Sequence, residues 1–246
     1  MRGLLDWLKE QSPEVVCLEE IKTTDEKSPA RVLEDAGYGS LWHGQRSHHG
    51  VAILAKGERP VQIRRGLPGD ELDRQARYLE AEVKGLVIAS VYLPNGNPQP
   101  GPRFDYKLAW FERFNARAWV DSGRPVVLAG DLNVVPTKAD IYNEWLWRLD
   151  AVVQPETRAV FRRLLEQGWI DATRHLHPEE RIYTFWVNDA AFRRNAGFRV
   201  DFLLHAQPRD AVGRHRSRQR RARQRQGERS RARLGAAART FPALGV

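Results

Sequence analysis

Short apolar runs that stop at a polar side chain constrain this chain more than any other feature. They occur as "VVCLEE" (15–20), "LVIASVYLPNG" (86–96) and "RPVVLAGDLN" (124–133), with further strand-like stretches at "GVAILAK" (50–56) and "RYLEAEV" (77–83). Runs of this length suit strands buried inside a sheet. "RYLEAEV" instead alternates Leu79, Ala81 and Val83 with charged neighbours, which predicts one wet face. Late strands are predicted at "IYTFWV" (182–187) and "GFRVDFLL" (197–204).

Helical patterns separate the strands. Leu4, Leu5 and Leu8 form a stripe at the start, and "SPARVLEDAGY" reads as a helix with Ser28 as N-cap, Pro29 in the first helical position and Gly37 at its stop. Two more helices are read at 100–123, closed by Gly123, and at 156–168, closed by Gly168. Buried and alternating strands mixed with helices predict a layered α/β fold, a sandwich of mixed sheets covered by helices.

The ends of the strands carry the chemistry. Glu19 and Glu20, Tyr92 and Asn95, and Asp131 and Asn133 follow apolar runs, while Asp201 lies within one. If the strand stays extended past Gly130, Asp131 and Asn133 emerge on the same side. An ordinary turn explains the same three residue types. Several such ends on one rim would gather carboxylates that repel one another unless a cation neutralises them. Oxygen donors without a Cys or His cluster favour Mg²⁺, with Mn²⁺ as an alternative, over Zn²⁺.

Bulk properties exclude little and locate one anomaly. No apolar run reaches the roughly 18 residues of a membrane helix, and the charged start is unlike a secretory signal, so a cytoplasmic chain is expected. The single cysteine, Cys17, fits a reducing compartment and reads as a small core residue. The formal charge of +9 comes from the end of the chain, where 12 Arg stand against Asp210 and Glu228 from residue 209 onward. A domain over 1–205 and an Arg-rich, disordered tail over 206–246 are therefore expected. The tail is either a phosphate-gripping arm or an out-of-frame reading of a GC-rich gene.

"CLEEIKT", "HHGVAILAK", "VYLPNG", "DYKLAWFERF", "GDLNVVPT", "YTFW" and "NAGFRVDFLL" follow one another in an order and spacing that resemble the bacterial exodeoxyribonuclease III family of the endonuclease/exonuclease/phosphatase superfamily. The resemblance covers residues 1–204. It implies a four-layer sandwich and a Mg²⁺-dependent DNA phosphodiesterase of base excision repair, a 3′–5′ exonuclease and abasic-site endonuclease. Double-stranded DNA, above all abasic sites and 3′ ends, is the implied partner, with the chain a monomer and no membrane involved.

By position, Glu20 matches the metal-binding glutamate of the family's "LQE" motif. Asp131 matches the aspartate that activates water, and Asn133 the amide that holds the phosphate and orients that aspartate, both placed with Glu20 around the metal. Tyr92 matches a tyrosine touching the scissile phosphate or leaving group, and Asp201 a supporting aspartate. Lys107, Asn95 and Trp186, the last with Phe185 as an apolar pocket for an abasic sugar, match substrate contacts. A solvated helix face for Lys107 and ordinary core for the two aromatics stay open, as does phosphate contact by His48 and His49.

The family's opening "W/F-N-x-N" strand and closing "S-D-H-A-P" strand have no counterpart here. A fold incomplete at both termini is expected, and with it reduced stability and impaired activity. Two alternatives remain: a catalytically inactive nucleic-acid-binding relative, and a phosphatase acting on a phosphate ester other than DNA.

Overall fold

The computed structural model describes residues 2–116 and 124–206. Strands β1 (Val15–Glu19), β2 (Tyr38–His43) and β3 (Val51–Lys56) make a three-stranded sheet in the order β1-β3-β2, antiparallel throughout. Strands β4 (Val61–Arg65), β5 (Tyr78–Val83), β6 (Leu86–Tyr92), β7 (Val126–Asp131), β8 (Ile170–Asp171) and β9 (Asp201–Ala206) make a mixed sheet ordered β4-β5-β6-β7-β9-β8. Its parallel pair is β6 and β7, whose crossover runs through α3 (Pro102–Asn115).

The layers follow from which faces are apolar. Val51, Ile53 and Ala55 of β3 meet Leu79, Ala81 and Val83 of β5, filling the space between the sheets. On the far side of the smaller sheet, Leu8 of α1 (Arg2–Gln11) and Leu33 of α2 (Ala30–Asp35) pack on Val16, Ala52 and Leu54. On the far side of the larger one, Trp110, Phe111 and Phe114 of α3 and Phe161 and Leu164 of α4 (Pro155–Glu166) cover Ala89, Val91 and Leu128. Helix, sheet, sheet, helix is the four-layer α/β sandwich expected.

Several local readings change. Pro29 rather than Ser28 occupies the N-cap position of α2, which has no side-chain cap, and the Ser28 N–H instead closes the preceding 3-10 turn on Asp25 O. Gly37, at φ 86°, does follow its end. The expected wet face of β5 is wet only in part: Glu82 is half-exposed beside Arg124, but Glu80 is fully buried, accepts from Tyr78 Oη, and lies 3.3 Å from Arg64 Nε. A buried charge persists where it is paired and hydrogen-bonded, so alternation of charge did not mean exposure.

"IYTFWV" forms no strand, only an isolated bridge between Phe185 and Phe198. Thr184 Oγ1 accepts the amides of Val200 and Asp201, both at 3.1 Å, taking donors that a strand ladder would have used. β9 accordingly begins only at Asp201. Gly123 and the tail from residue 207 lie outside the described residues. Among those described, no helix is long and apolar enough to cross a membrane.

Candidate active site

Strand register assembles the site. Tyr92, last in β6, is the parallel partner of Asp131, last in β7, and Asp131 is paired in turn with Asp201, first in β9. A phenol and two carboxylates from three distant segments thus stand in one row at the sheet edge. Glu20, just past β1, reaches the row from the other sheet: its Oε1 accepts from Tyr92 Oη, while Lys22 Nζ is 3.1 Å and His48 Nδ1 3.9 Å from Oε2. Glu20 has φ 48°, a backbone strain that persists only where surrounding structure imposes it.

Asp131 and Asn133 do come together, though not by continued extension. The strand stops at Asp131, and Asn133 turns back with φ 45°. Asp131 Oδ1 accepts the Asn133 amide N–H at 2.7 Å and its Oδ2 accepts Asn133 Nδ2 at 3.1 Å. The same Nδ2 donates to Leu93 O at 2.8 Å, and Asn133 Oδ1 accepts from Asn95 Nδ2 at 3.2 Å. Asn133, only 5% exposed, is therefore occupied in fixing Asp131 rather than open to a phosphate or an ion.

Lys107 is neither solvated nor at the surface. It is fully buried, and its Nζ donates to Asn133 O at 2.6 Å and Asn95 O at 3.0 Å, bracing both strand-end loops from beneath. Burial pushes its ammonium down to about 7. Its expected role as a direct substrate contact gives way to that of a support. The two aromatics also separate: Trp186 packs on Phe192 at 5.0 Å, whereas Phe185 lies 4.9 Å from Phe198.

Electrostatics single out the row. Burial, then the charge of Asp201, raises the Asp131 carboxyl to about 8. Burial likewise raises Asp201. Burial, followed by Asp201 and Asp131, raises Glu19 to about 8, a residue the motif reading passed over in favour of its neighbour. Strand alternation was the available signal, because it turns Glu19 toward the sheet interface when Glu20 faces the rim. The Tyr92 hydroxyl is pushed well up by burial and then by its bond to Glu20, so it stays protonated and can donate.

Beside the row opens a cleft of about 630 Å³ lined by Glu20, His49, Arg77, Tyr92, Asn95 and Arg103. Arg77, absent from the motifs, donates to Tyr92 O at 3.3 Å, and its guanidinium carbon stands 4.8 Å from the Tyr92 ring centroid. His49 Nε2 pairs with Gln75 Oε1 at 3.1 Å. Phe198, also missed, is 5% exposed and forms an apolar wall with Phe185; it stands three residues before Asp201 in the sequence.

The model of the endonuclease/exonuclease/phosphatase family matches residues 1–239. The chain belongs to that family. It is 33% identical over 207 residues to DNA repair nuclease APEX1 of Danio rerio, covering 81% of this chain and 66% of that protein. It is 32% identical over 205 residues to an exodeoxyribonuclease of Bacillus subtilis, covering 81% and 79%. Among solved structures, an AP endonuclease from Archaeoglobus fulgidus superposes with TM-score 0.78 at 30% identity, covering 83% of this chain and 80% of that one. The 3′–5′ exonuclease NExo of Neisseria meningitidis gives TM-score 0.78 at 32% identity, covering 83% and 81%.

Nucleases of this family generally depend on a divalent metal. Glu20 faces the cleft with Oε1 on the Tyr92 hydroxyl and Oε2 beside Lys22, both Asp131 oxygens accept from Asn133, and the Asn133 oxygen is held by Asn95. Among the described residues, no three His, Cys, Asp or Glu side chains gather closely enough to hold an ion. The set Glu20, Asp131 and Asn133 thus does not form a complete cation centre by itself.

Proposed function

We propose that this chain is a DNA phosphodiesterase of the repair type, acting at abasic sites and at 3′ ends of duplex DNA. The observation that carries the reading is the row Tyr92, Asp131, Asp201, in register across β6, β7 and β9 and joined to Glu20 by the Tyr92 hydroxyl. Each member has a role that its surroundings suit. Asp131 is held by two bonds from Asn133 and has a proton affinity close to neutral pH, which suits a base that takes a proton from attacking water. Tyr92, kept protonated, donates a hydrogen bond to a phosphate or leaving oxygen as charge builds there.

Arg77 and Arg103 in the cleft neutralise the DNA backbone. The Phe185–Phe198 wall suits a sugar that has lost its base, a group cheap to extrude because it sacrifices no stacking. Mg²⁺ is the proposed cofactor; Glu20 would offer it a carboxylate oxygen, and the ion would neutralise phosphate charge when bound. Assignment of activity to the cytoplasm and to a monomer belongs to the same proposal.

A second reading on the same site is favoured by one neighbour. A variant of the 3′ phosphatase NExo from Neisseria, bound to product DNA hairpin, superposes with TM-score 0.77 at 32% identity. Removal of a 3′ phosphate uses the same base and the same donor. Purified chain is therefore offered abasic duplex, recessed 3′ ends, duplex bearing a 3′ phosphate, and inositol phosphates, each with Mg²⁺. Cleavage of at least one DNA substrate, abolished in Asp131→Ala with the far-UV dichroism unchanged, is expected. Activity confined to inositol phosphates, or cleavage that survives Asp131→Ala, overturns the reading.

A further inference from the structure

Beyond β7 the chain builds a surface that the proposed chemistry leaves unused. Asn143 Oδ1 accepts the Trp145 N–H at 3.1 Å, starting the 3-10 turn Glu144–Trp147 and standing the indole out at 67% exposure. Arg148 is fixed over that indole: its Nη1 donates to Trp145 O at 3.1 Å, and its guanidinium carbon lies 4.3 Å from the ring centroid. Tyr142, Lys138 and Arg181 line the same open groove, whose volume is about 600 Å³. Its acid, Glu144, is already paired with Arg158 at 2.7 Å, so the cationic side chains of the groove are left for an anionic occupant.

The groove's backbone is tied to the segment that enters β9: Ile141 bridges to Phe198, and the Tyr142 N–H donates to Gly197 O at 2.9 Å, four residues before Asp201 in the sequence. An exposed indole held rigid by an arginine, with cations around it, offers two things at once. It stacks a nucleobase of any identity and neutralises the phosphates on either side.

Resting on the DNA-nuclease reading above, we infer that Trp145 and Arg148 form a stacking platform for an unpaired base of the bound DNA. The preferred substrate is then a duplex with a frayed or single-stranded end rather than a fully paired one. The test measures binding of fluorescein-labelled duplexes made uncleavable by phosphorothioate linkages, either fully paired or carrying a short 3′ or 5′ single-stranded tail. Wild type, Trp145→Ala, Trp145→Phe and Arg148→Ala are compared by anisotropy.

Trp145→Ala is expected to weaken one of the tailed duplexes about 5- to 100-fold while changing the paired duplex by less than about twofold, and Trp145→Phe to retain most of the affinity. Cleavage of fully paired abasic duplex stays at the wild-type rate in each variant. Equal losses on paired and tailed DNA, or no loss on either, overturn the platform while leaving the nuclease reading intact. A wild-type chain that binds neither duplex overturns both.

Discussion

Replacing Gly130 by alanine tests how the row of functional groups is held. A Cβ at this position would sit 2.0 Å from Val91 O and 2.6 Å from Glu19 Oε1, and the residue has φ 141°, a region that L side chains rarely adopt. Val91 is its register partner on the parallel strand β6, so the obstructing atom is backbone and cannot swing aside. The conformational strain costs about 1–3 kcal/mol. Moving the strands apart to admit the methyl group gives up one or two ladder hydrogen bonds at about 1 kcal/mol each.

The sum, about 2–5 kcal/mol, corresponds to a fall in Tm of roughly 4–20 °C for a domain of this size. Gly85→Ala is the control. Gly85 has φ 79° and nothing within 4 Å of an added Cβ, so it bears strain without collision and should lose only about 2–4 °C. Differential scanning fluorimetry of both variants reads the difference directly. Adding Glu19→Ala to Gly130→Ala should recover about 1 kcal/mol or less, because the Val91 carbonyl remains. Equal melting points for Gly130→Ala and Gly85→Ala would refute the argument that close parallel pairing, rather than turn geometry, demands glycine before Asp131.

Other outcomes follow from the same geometry. Tyr92→Phe removes the hydroxyl that meets Glu20 and should slow cleavage about 10²- to 10³-fold, with Tm within a few degrees of wild type; a change below about tenfold in kcat/KM removes Tyr92 from the chemistry. Asp140, 1% exposed, accepts from Arg199 and Arg174 and from Thr137. Asp140→Ala takes one of two carboxylates from the buried Arg199, which keeps Asp171 at 2.8 Å, and should cost about 2–4 kcal/mol in urea unfolding; a loss under about 1 kcal/mol would show the network to be weak. Because the Glu19 carboxyl is raised to about 8 in the fold, the folded state keeps its proton where the unfolded chain has lost it, so Glu19 subtracts stability as pH rises from about 4.5 to 8. Glu19→Gln should accordingly stabilise by about 1–3 kcal/mol at pH 8 and by nearly nothing at pH 4, and a gain independent of pH would argue for packing instead. With Glu20 as the cleft-facing donor, Mn²⁺ binding followed by electron paramagnetic resonance should be no tighter than millimolar and disappear in Glu20→Gln; micromolar binding would mean that further ligands close the site.

Local pattern carried much of this protein. Apolar runs of strand length named β1, β3, β6 and β7, and the polar residues ending them named Glu20, Tyr92 and Asp131, because both signals lie within a few consecutive residues. Motif order extended that to Asp201 and to the family. Where two local interactions compete, the sequence was a poor guide: Thr184 captured the amides that a strand at "IYTFWV" required, and Ser28 closed a 3-10 turn instead of capping α2.

Tertiary structure alone decided what those side chains can do. Register across β6, β7 and β9 brings residues 92, 131 and 201 into one row, and no local pattern encodes the partner of a strand. The dry setting of Glu80, the inward turn of Asn133 and the burial of Lys107 beneath two carbonyls arise from segments far away in the chain. Proton affinities at Glu19 and Asp131 follow the same rule, since burial and neighbouring charge fix them and both are properties of the packed molecule.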